Sequence, residues 1–129
     1  MLEMDDVSLS VPADPEFVHL LRTVAASFGS TMQLSFDDIE DLRLAVTESA
    51  GYLLSRSGTG GTLTMRLQPD GDGVAAEISR DGVPGGPAVA IGESTFAWQV
   101  LAALTDDLRI TGDGSGSSIR FTKVPLSSR

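Results

Sequence analysis

The first half of the chain changes from the two-residue periodicity of a strand to the longer periodicity of helices. In VSLSV, Val7 to Val11, apolar and polar residues alternate, which predicts a strand with one buried face. The next segment predicts a helix with Asp14 as its N-cap, Pro15 at the first helical position and Gly29 as its C-cap. The apolar residues that recur at helical spacing are Phe17, Leu20, Leu21, Val24 and Phe28. Of these residues, Phe17, Leu21, Val24 and Phe28 would face the core.

A second, longer helix is predicted from about Ser35 to about Arg56. Ser35 and Asp38 approximate a capping box, with Asp in place of the preferred Glu. The core stripe of this helix consists of Ile39, Leu42, Val46, Ala50 and Leu53. The stretch SGTGG that follows is rich in turn-forming residues and would end the helix.

The second half of the chain predicts four strands and one helix. TLTMRLQ and GVAAEISR alternate on either side of PDGDG, which predicts a hairpin. A third helix is expected over STFAWQVLAALTDD, with Ser94 as its cap and Trp98 packing it on the sheet. LRIT and SIRFTKV then predict two more strands, joined by the turn GDGSGS.

The order of these elements, β-α-α-β-β-α-β-β, indicates the fold class. The links PDGDG and GDGSGS are too short for parallel pairing of the strands that they join. We therefore predict an α/β two-layer sandwich, in which a mostly antiparallel five-stranded sheet carries three helices on one face. The 129 residues suit a single domain, residues 1–129, with one core.

Composition and charge exclude several classes of function. The chain has no Cys and a single His, His19, so neither disulfides nor a zinc site are expected. Its net charge is −9 and its nine Lys and Arg residues are scattered, which argues against nucleic-acid binding. No apolar run approaches the ~18 residues of a membrane span, and the N-terminus is acidic, unlike a signal peptide. We expect a cytoplasmic protein whose charge favours a basic partner, although the same charge would also keep an unpartnered protein in solution.

Five segments then occur in a recognisable order: PADPEFVHLLRTVAASF, FDDIEDLRLAVTESAGYLL, ISRDGVPG, FAWQVLAALTDDLRI and GSGSSIRFTK. Together they resemble the bacterial anti-sigma factors that share their fold with histidine kinases and gyrase-type ATPases, the GHKL superfamily. The resemblance covers nearly the whole chain. It is strongest to the actinobacterial anti-sigma factors of the sigma-F/sigma-B stress type.

The resemblance implies a catalytic candidate in the second helix, where the family carries E-x-x-x-N. Glu48 matches the Glu, which resembles a general base, but Tyr52 stands where the family's Asn binds Mg²⁺ beside the nucleotide. A phenol is a poor ligand for Mg²⁺, which prefers compact oxygen donors in a tight octahedron, so no metal site is expected. The residues alone leave two simpler interpretations open. Glu48 could lie at the edge of the core stripe, paired with Arg43 or Arg56, and Tyr52 could serve packing.

The resemblance also implies cofactor-binding candidates after the second strand of the predicted hairpin, where the family has D-x-G-x-G. Asp81, Gly82 and Gly85 match parts of that motif, and Val83 falls where its first Gly belongs. The same residues are equally typical of an ordinary turn. From Asp81 to residue 108 there is no Lys, Arg or His to meet the roughly four negative charges of a nucleoside triphosphate. We therefore expect weak ATP binding or none.

Arg22 is the partner-binding candidate, because it matches the family arginine that contacts the sigma factor and its antagonist; the simpler interpretation is a solvated helix residue. The resemblance predicts an anti-sigma factor that sequesters an alternative, stress-response sigma factor. It also implies a homodimer and a competing anti-sigma antagonist of the STAS fold. Two alternatives stay open: an active serine/threonine-protein kinase that phosphorylates the antagonist with ATP, and a domain that binds another small ligand in the vacated pocket.

Overall fold

The structure, a computed structural model, describes residues 6–55, 60–81, 96–113 and 116–128. A 3₁₀ turn, Pro15–Phe17, precedes the first helix, and another, Leu126–Ser128, follows the last strand. Within these ranges the strands and helices, in chain order, are β1 (Val7–Pro12), α1 (Val18–Thr31), α2 (Phe36–Ser55), β2 (Thr62–Asp70), β3 (Gly73–Asp81), α3 (Phe96–Leu104), β4 (Asp106–Asp113) and β5 (Gly116–Lys123).

The five strands form one sheet in the order β1-β2-β3-β5-β4, and every neighbouring pair is antiparallel. The predicted α/β sandwich with an antiparallel five-stranded sheet is therefore confirmed. The strand β3 lies at the centre, between its hairpin partner β2 and the last strand β5.

The core lies between the helices and one face of the sheet. The predicted alternation in the β2–β3 hairpin is confirmed, because its alternate apolar residues are all buried. The fully buried side chains from both layers include Leu21, Leu42, Leu53, Leu101, Leu63, Met65, Leu67, Val74, Ile78, Ile119 and Phe121. The intervening strand residues, such as Arg66 and Arg120, face away from the helices and are exposed. Burial of one face of each strand thus fixes the register of the sheet.

The start of the first helical segment agrees with the sequence, but its end does not. Asp14 accepts a hydrogen bond from the Glu16 N–H at 2.9 Å, and Pro15 takes the first position of the 3₁₀ turn. Gly29 was expected to end the helix, and this is wrong: α1 continues to Thr31. Gly29 is buried inside the helix, where a Cβ atom would lie 3.2 Å from Ile39 Cγ1, so its role is close packing of α1 on α2. Leu20, which is not among the residues expected to face inward, is 39% exposed.

The chain leaves α1 through a left-handed residue that is not glycine. Gln33 has φ of 62°. The Leu34 N–H donates to the Gly29 carbonyl at 3.0 Å, and the Gln33 N–H donates to the Ser30 carbonyl at 2.9 Å. This pair of hydrogen bonds is the Schellman arrangement, which satisfies helix-end carbonyls and reverses the chain within a few residues. It sets α2 antiparallel against α1.

The predicted cap of α2 is confirmed. Ser35 Oγ accepts the Asp38 N–H at 3.1 Å and also contacts Asp38 Oδ2 at 2.9 Å, so the Asp carboxylate binds the Ser hydroxyl. The described part of the helix reaches Ser55, and its predicted end near Arg56 lies outside the described residues.

The third helix ends earlier than predicted. Its described part is Phe96–Leu104, and the predicted cap Ser94 lies outside the described residues. Asp106 and Asp107, which were predicted to end the helix, belong to β4 instead. Asp106 is held beside β5, because its carboxylate accepts the Val124 N–H at 3.1 Å and its carbonyl accepts the Thr122 hydroxyl at 3.2 Å. Among the helices described, none is long and apolar enough to cross a membrane.

Candidate functional site

The candidate site is built on the side of α2 that carries Glu48 and Tyr52. The two residues are one helical turn apart, so their side chains leave the same side of the helix. Both are partly buried, and Tyr52 packs against the hydrophobic core. Glu48 makes no hydrogen bond or ion pair with any other described residue. Arg43, one of its two suggested partners, instead contacts Glu40 at 2.7 Å.

A buried ionic cluster fixes the direction in which this side of α2 points. The Lys123 ammonium of β5 lies 3.1 Å from Asp41 Oδ2 and 3.7 Å from Asp38 Oδ1. It also donates to the carbonyl of Leu104, at the end of α3, at 3.3 Å. Asp41 precedes Glu48 by seven residues, two helical turns, and therefore lies on the same side of α2. That side consequently faces α3 and the end of β5.

Lys123 and Asp38 are 3% and 2% exposed, so the cluster is an ion pair removed from water. Asp38 Oδ2 accepts the Leu126 N–H at 3.3 Å, whereas Oδ1 has no hydrogen bond and relies on the charge of Lys123. A carboxylate buried in this way is strongly destabilised if its cation is removed.

A second buried cation, Arg80, lies at the opposite end of α2. Its guanidinium donates to the Leu53 carbonyl at 2.9 Å and to the Gly60 carbonyl at 2.8 Å, and the side chain is 4% exposed. Leu53 lies in the last turn of α2, where carbonyl groups lack partners within the helix and attract a positive charge. Arg80 therefore joins the end of β3 to the end of α2.

The candidate Asp81 faces away from Glu48. Along β3, Val74, Ala76, Ile78 and Arg80 point to the helices, whereas Asp81 has the opposite parity. Its side chain is exposed and lies on the outer face of the sheet, as do the side chains of Ser79 and Glu77. Gly82 and Gly85 lie outside the described residues. The roles of these three residues in binding a cofactor therefore stay predictions, and the residue that this part of the strand turns toward α2 is Arg80.

Arg22 lies in a groove between α1 and α2, and Glu48 is not among the described residues that line this groove. The groove is open, with a volume of about 640 Å³, and its described lining is Pro15, Val18, His19, Arg22, Thr47, Gly51, Leu54 and Ser55. The side chain of Arg22 is partly exposed and has no hydrogen bond or ion pair to another described residue. Ser55 of this lining follows Glu48 by seven residues, two helical turns, so the groove borders the Glu48 side of α2.

Comparison with known proteins assigns this arrangement to a family. The family model described as "Histidine kinase-like ATPase domain" matches residues 11–123, which include all three helices, the strands β2 to β5 and the last two residues of β1. The chain belongs to this family. It is 38% identical to the anti-sigma-F factor RsbW of Mycobacterium tuberculosis over 84% of the chain, and the match spans 62% of that relative's length. It is 27% identical to the serine-protein kinase RsbW of Bacillus licheniformis, over 92% of the chain and 85% of the relative.

This histidine kinase-like ATPase domain departs from what a bound Mg²⁺–nucleotide requires. The position one turn after Glu48 holds a phenol that packs against the core, and Mg²⁺ requires compact oxygen donors. Among the described residues there is no group of three or more His, Cys, Asp or Glu side chains that could hold a metal ion. The phenol of Tyr52 is thus a poor ligand for Mg²⁺, and the expectation that this domain has no metal site stays a prediction.

Sequence reasoning missed the two buried cations of this domain, although a signal was present. Along β5, Lys123 continues the series of alternate residues Ile119 and Phe121, which face the core. Along β3, Arg80 continues the series Ala76 and Ile78, which also face the core. A Lys or Arg in such a register must be buried with partners. The identity of those partners depends on tertiary contacts and could not be read from the strand pattern.

Proposed function

We propose that the chain is an anti-sigma factor that binds an alternative sigma factor and withholds it from core RNA polymerase. The observation that carries the proposal is the 38% identity to the anti-sigma-F factor of M. tuberculosis across 84% of this chain. The mechanism is competition for a surface on the sigma factor, and it needs no chemical step.

Arg22 supplies the contact in this proposal. It lies on α1 with a partly exposed guanidinium that no described residue engages. A guanidinium in this state is ready to donate paired hydrogen bonds to a carboxylate of the sigma factor, an arrangement that Lys cannot reproduce. The acidic charge of the rest of the chain, −9 in total, would attract the basic surfaces that surround such a contact.

We infer that ATP is bound weakly or not at all. The packing of Tyr52 against the core and the placement of Arg80 at the end of α2 support this inference, as does the lack of Lys, Arg and His from residue 81 to residue 108. Isothermal titration of the protein with ATP and Mg²⁺ tests it directly. Little or no heat is expected, and a saturable signal at micromolar ATP would contradict it.

The test of the main proposal is binding to purified alternative sigma factors from the same genome. At least one should bind the wild-type chain, and a STAS-type antagonist should displace it, because the proposal places both partners on the Arg22 surface. Core RNA polymerase should compete for the same sigma factor. The proposal fails if none of the sigma factors binds.

The second candidate is a serine-protein kinase acting on that antagonist with ATP. It is supported by the names of the Bacillus relatives and by the presence of Glu48, the family's general-base position. Incubation of the antagonist with radiolabelled ATP distinguishes the candidates. Transfer of label to a serine, lost in Glu48→Gln, would favour the kinase. Native mass spectrometry of the purified chain would detect a different small ligand, if one is retained.

Homodimerisation and a cytoplasmic location belong to the same proposal. Both follow from the resemblance to anti-sigma factors, which act on sigma factors where polymerase is present. Sedimentation equilibrium tests the dimer, with an expected mass of twice the 13.5 kDa of one chain. Fractionation of cells that produce the protein tests the location.

A further inference from the structure

Two arginine side chains lie directly opposite each other on the outer face of the sheet, the face that points away from the helices. Arg109 of β4 is in register with Arg120 of β5, and both side chains are exposed. Like charges directly opposite each other on neighbouring strands are destabilising. The chain has only nine Lys and Arg residues against 18 Asp and Glu residues. The fold therefore places two of its few cations in an arrangement that works against its own stability.

The carboxylates beside this pair do not neutralise it. Glu77 of β3 lies opposite Arg120 on its other side, yet neither residue makes a hydrogen bond or ion pair with any described residue. Arg109 binds Asp107 only through Nε, at 3.3 Å, and no described residue accepts a hydrogen bond from its two terminal nitrogens. Both guanidiniums therefore keep donors that are free for a ligand.

A depression in the sheet surface beside the pair gives a ligand room. Its volume is about 380 Å³, and its described lining includes Arg109, Arg120, Gln68, Ala75 and Thr122. Ala75 of β3 lies between Gln68 of β2 and Thr122 of β5, so that a single methyl group forms the floor between two longer side chains. This volume falls within the range of sites that bind small molecules.

The polar groups of the lining narrow the chemistry of the ligand. The Thr122 hydroxyl donates to a main-chain carbonyl at 3.2 Å, and the Gln68 amide donates to a carboxylate at 2.7 Å. The two guanidiniums therefore carry most of the uncommitted donors, in a planar geometry that matches oxyanions. Asp70 and Asp107 also line the depression, and their charges would repel a ligand whose negative charge extends along a chain.

We propose that this depression binds a small phosphomonoester, whose phosphate group is held between Arg109 and Arg120. A phosphate group that carries about two negative charges matches two opposed guanidiniums and removes their mutual repulsion. The two carboxylates of the lining select against polyphosphates and nucleic acids. The depression lies on the opposite face of the sheet from α2, so the inference does not depend on the proposed anti-sigma function.

The first experiment titrates the protein with inorganic phosphate and with phenyl phosphate, and follows the arginine Nε–H groups by NMR. The signals of Arg109 and Arg120 should shift saturably at millimolar ligand. The signal of Arg66, which lies on the same face but is bound by Asp6 at 2.6 Å, should not. Affinity should rise several-fold from about pH 5 to about pH 8, because the second pKa of a phosphomonoester is about 6. Sodium chloride at matched ionic strength controls for screening.

The second experiment compares two arginine substitutions on the same face. Arg120→Gln should lower the affinity for phosphate by about tenfold or more. Its thermal midpoint should stay the same or rise by about 2 °C, because the like-charge repulsion is gone, whereas loss of a purely structural arginine would lower it. Arg66→Gln is the matched control, since its guanidinium is already engaged, and it should bind phosphate as wild type does.

Four results would overturn the inference. Sodium chloride could reproduce the shifts, or the two substitutions could weaken binding equally; either result means general attraction to a charged face. A response to inorganic phosphate with none to phenyl phosphate would exclude a phosphomonoester. A change in sedimentation mass in Arg120→Gln would make the pair a contact between copies of this chain.

Discussion

The guanidinium of Arg80 lies 2.9 Å from the carbonyl oxygen of Leu53, and this contact joins the central strand β3 to the last turn of α2. The same side chain also binds the Gly60 carbonyl. Arg80→Met keeps the apolar stem and removes the donors, so two carbonyls lose their partner. We expect the free energy of unfolding to fall by about 3 kcal/mol in urea denaturation. Arg120→Met, an exposed site on β5, is the control and should change it little. Equal losses in the two variants would refute the structural role of Arg80.

Lys123 gives a second stability prediction, because it is buried between Asp38 and Asp41. Lys123→Met leaves the Asp38 carboxylate buried without a cation, which should cost about 3–5 kcal/mol. The comparison is Arg66→Met, which breaks the exposed pair with Asp6 and should cost about 1 kcal/mol or less. Calorimetric melts of both variants measure the difference. If Arg66→Met were the more damaging change, our account of the buried cluster would be wrong.

The pKa of Asp6 should be measurable by carboxyl-carbon NMR, and it should lie below the ordinary value of 3.8. Hydrogen bonds from Gln68 and Arg66 favour the ionised carboxylate. Because the pKa is lower in the folded protein than in the unfolded chain, the stabilisation is present above about pH 4 and is lost as pH falls through the folded pKa. Gln68→Ala should move the pKa of Asp6 upward. An unchanged titration midpoint would mean that this hydrogen bond does not act on Asp6.

Tyr52 tests the interpretation of the nucleotide site. Tyr52→Asn restores the family's E-x-x-x-N pattern, but it supplies no cation for the phosphates, so ATP turnover should stay at background in a coupled assay. The substitution should also lower the free energy of unfolding by ~2 kcal/mol or more, because it removes an aromatic ring packed on the core. Turnover in this single variant would show that the segment after β3 can bind phosphate.

Arg22 tests the partner contact. If its guanidinium meets a desolvated carboxylate, Arg22→Ala should weaken sigma-factor binding by roughly 2–5 kcal/mol, and Arg22→Lys should recover only part of that loss. Titration calorimetry measures the affinities, and thermal melts confirm that the variants fold. Three equal affinities with equal melting points would remove Arg22 from the interface.

Local patterns predicted most of the fold, because strand alternation and helix capping depend only on residues that are close in sequence. The alternation around PDGDG gave the β2–β3 hairpin, and Ser35 with Asp38 marked the start of α2. The ends of elements were less predictable. Gly29 has the residue type of a helix end, but the approach of Ile39 requires a glycine inside α1, and Gln33 takes the left-handed position instead.

The candidate site was predictable in its residue types and less so in its geometry. Glu48 and Tyr52 do share one side of α2, as their spacing requires. Asp81 was grouped with them by motif, yet strand parity turns it outward and turns Arg80 inward. That parity depends on which face of β3 is covered, which is set by helices distant in sequence.

The two buried cations hold α2 at both ends, Lys123 near its first turns and Arg80 at its last. A helix fixed in this way cannot fray from either end without exposing a charge pair or a set of bound carbonyls. The wall of the groove that α2 supplies is therefore already in its final shape before any partner arrives. Association then orders few main-chain groups of this protein. The conformational entropy lost on binding therefore comes mainly from the partner's segment. Binding should consequently proceed by direct docking, at a rate set by encounter and orientation and not by rearrangement of α2.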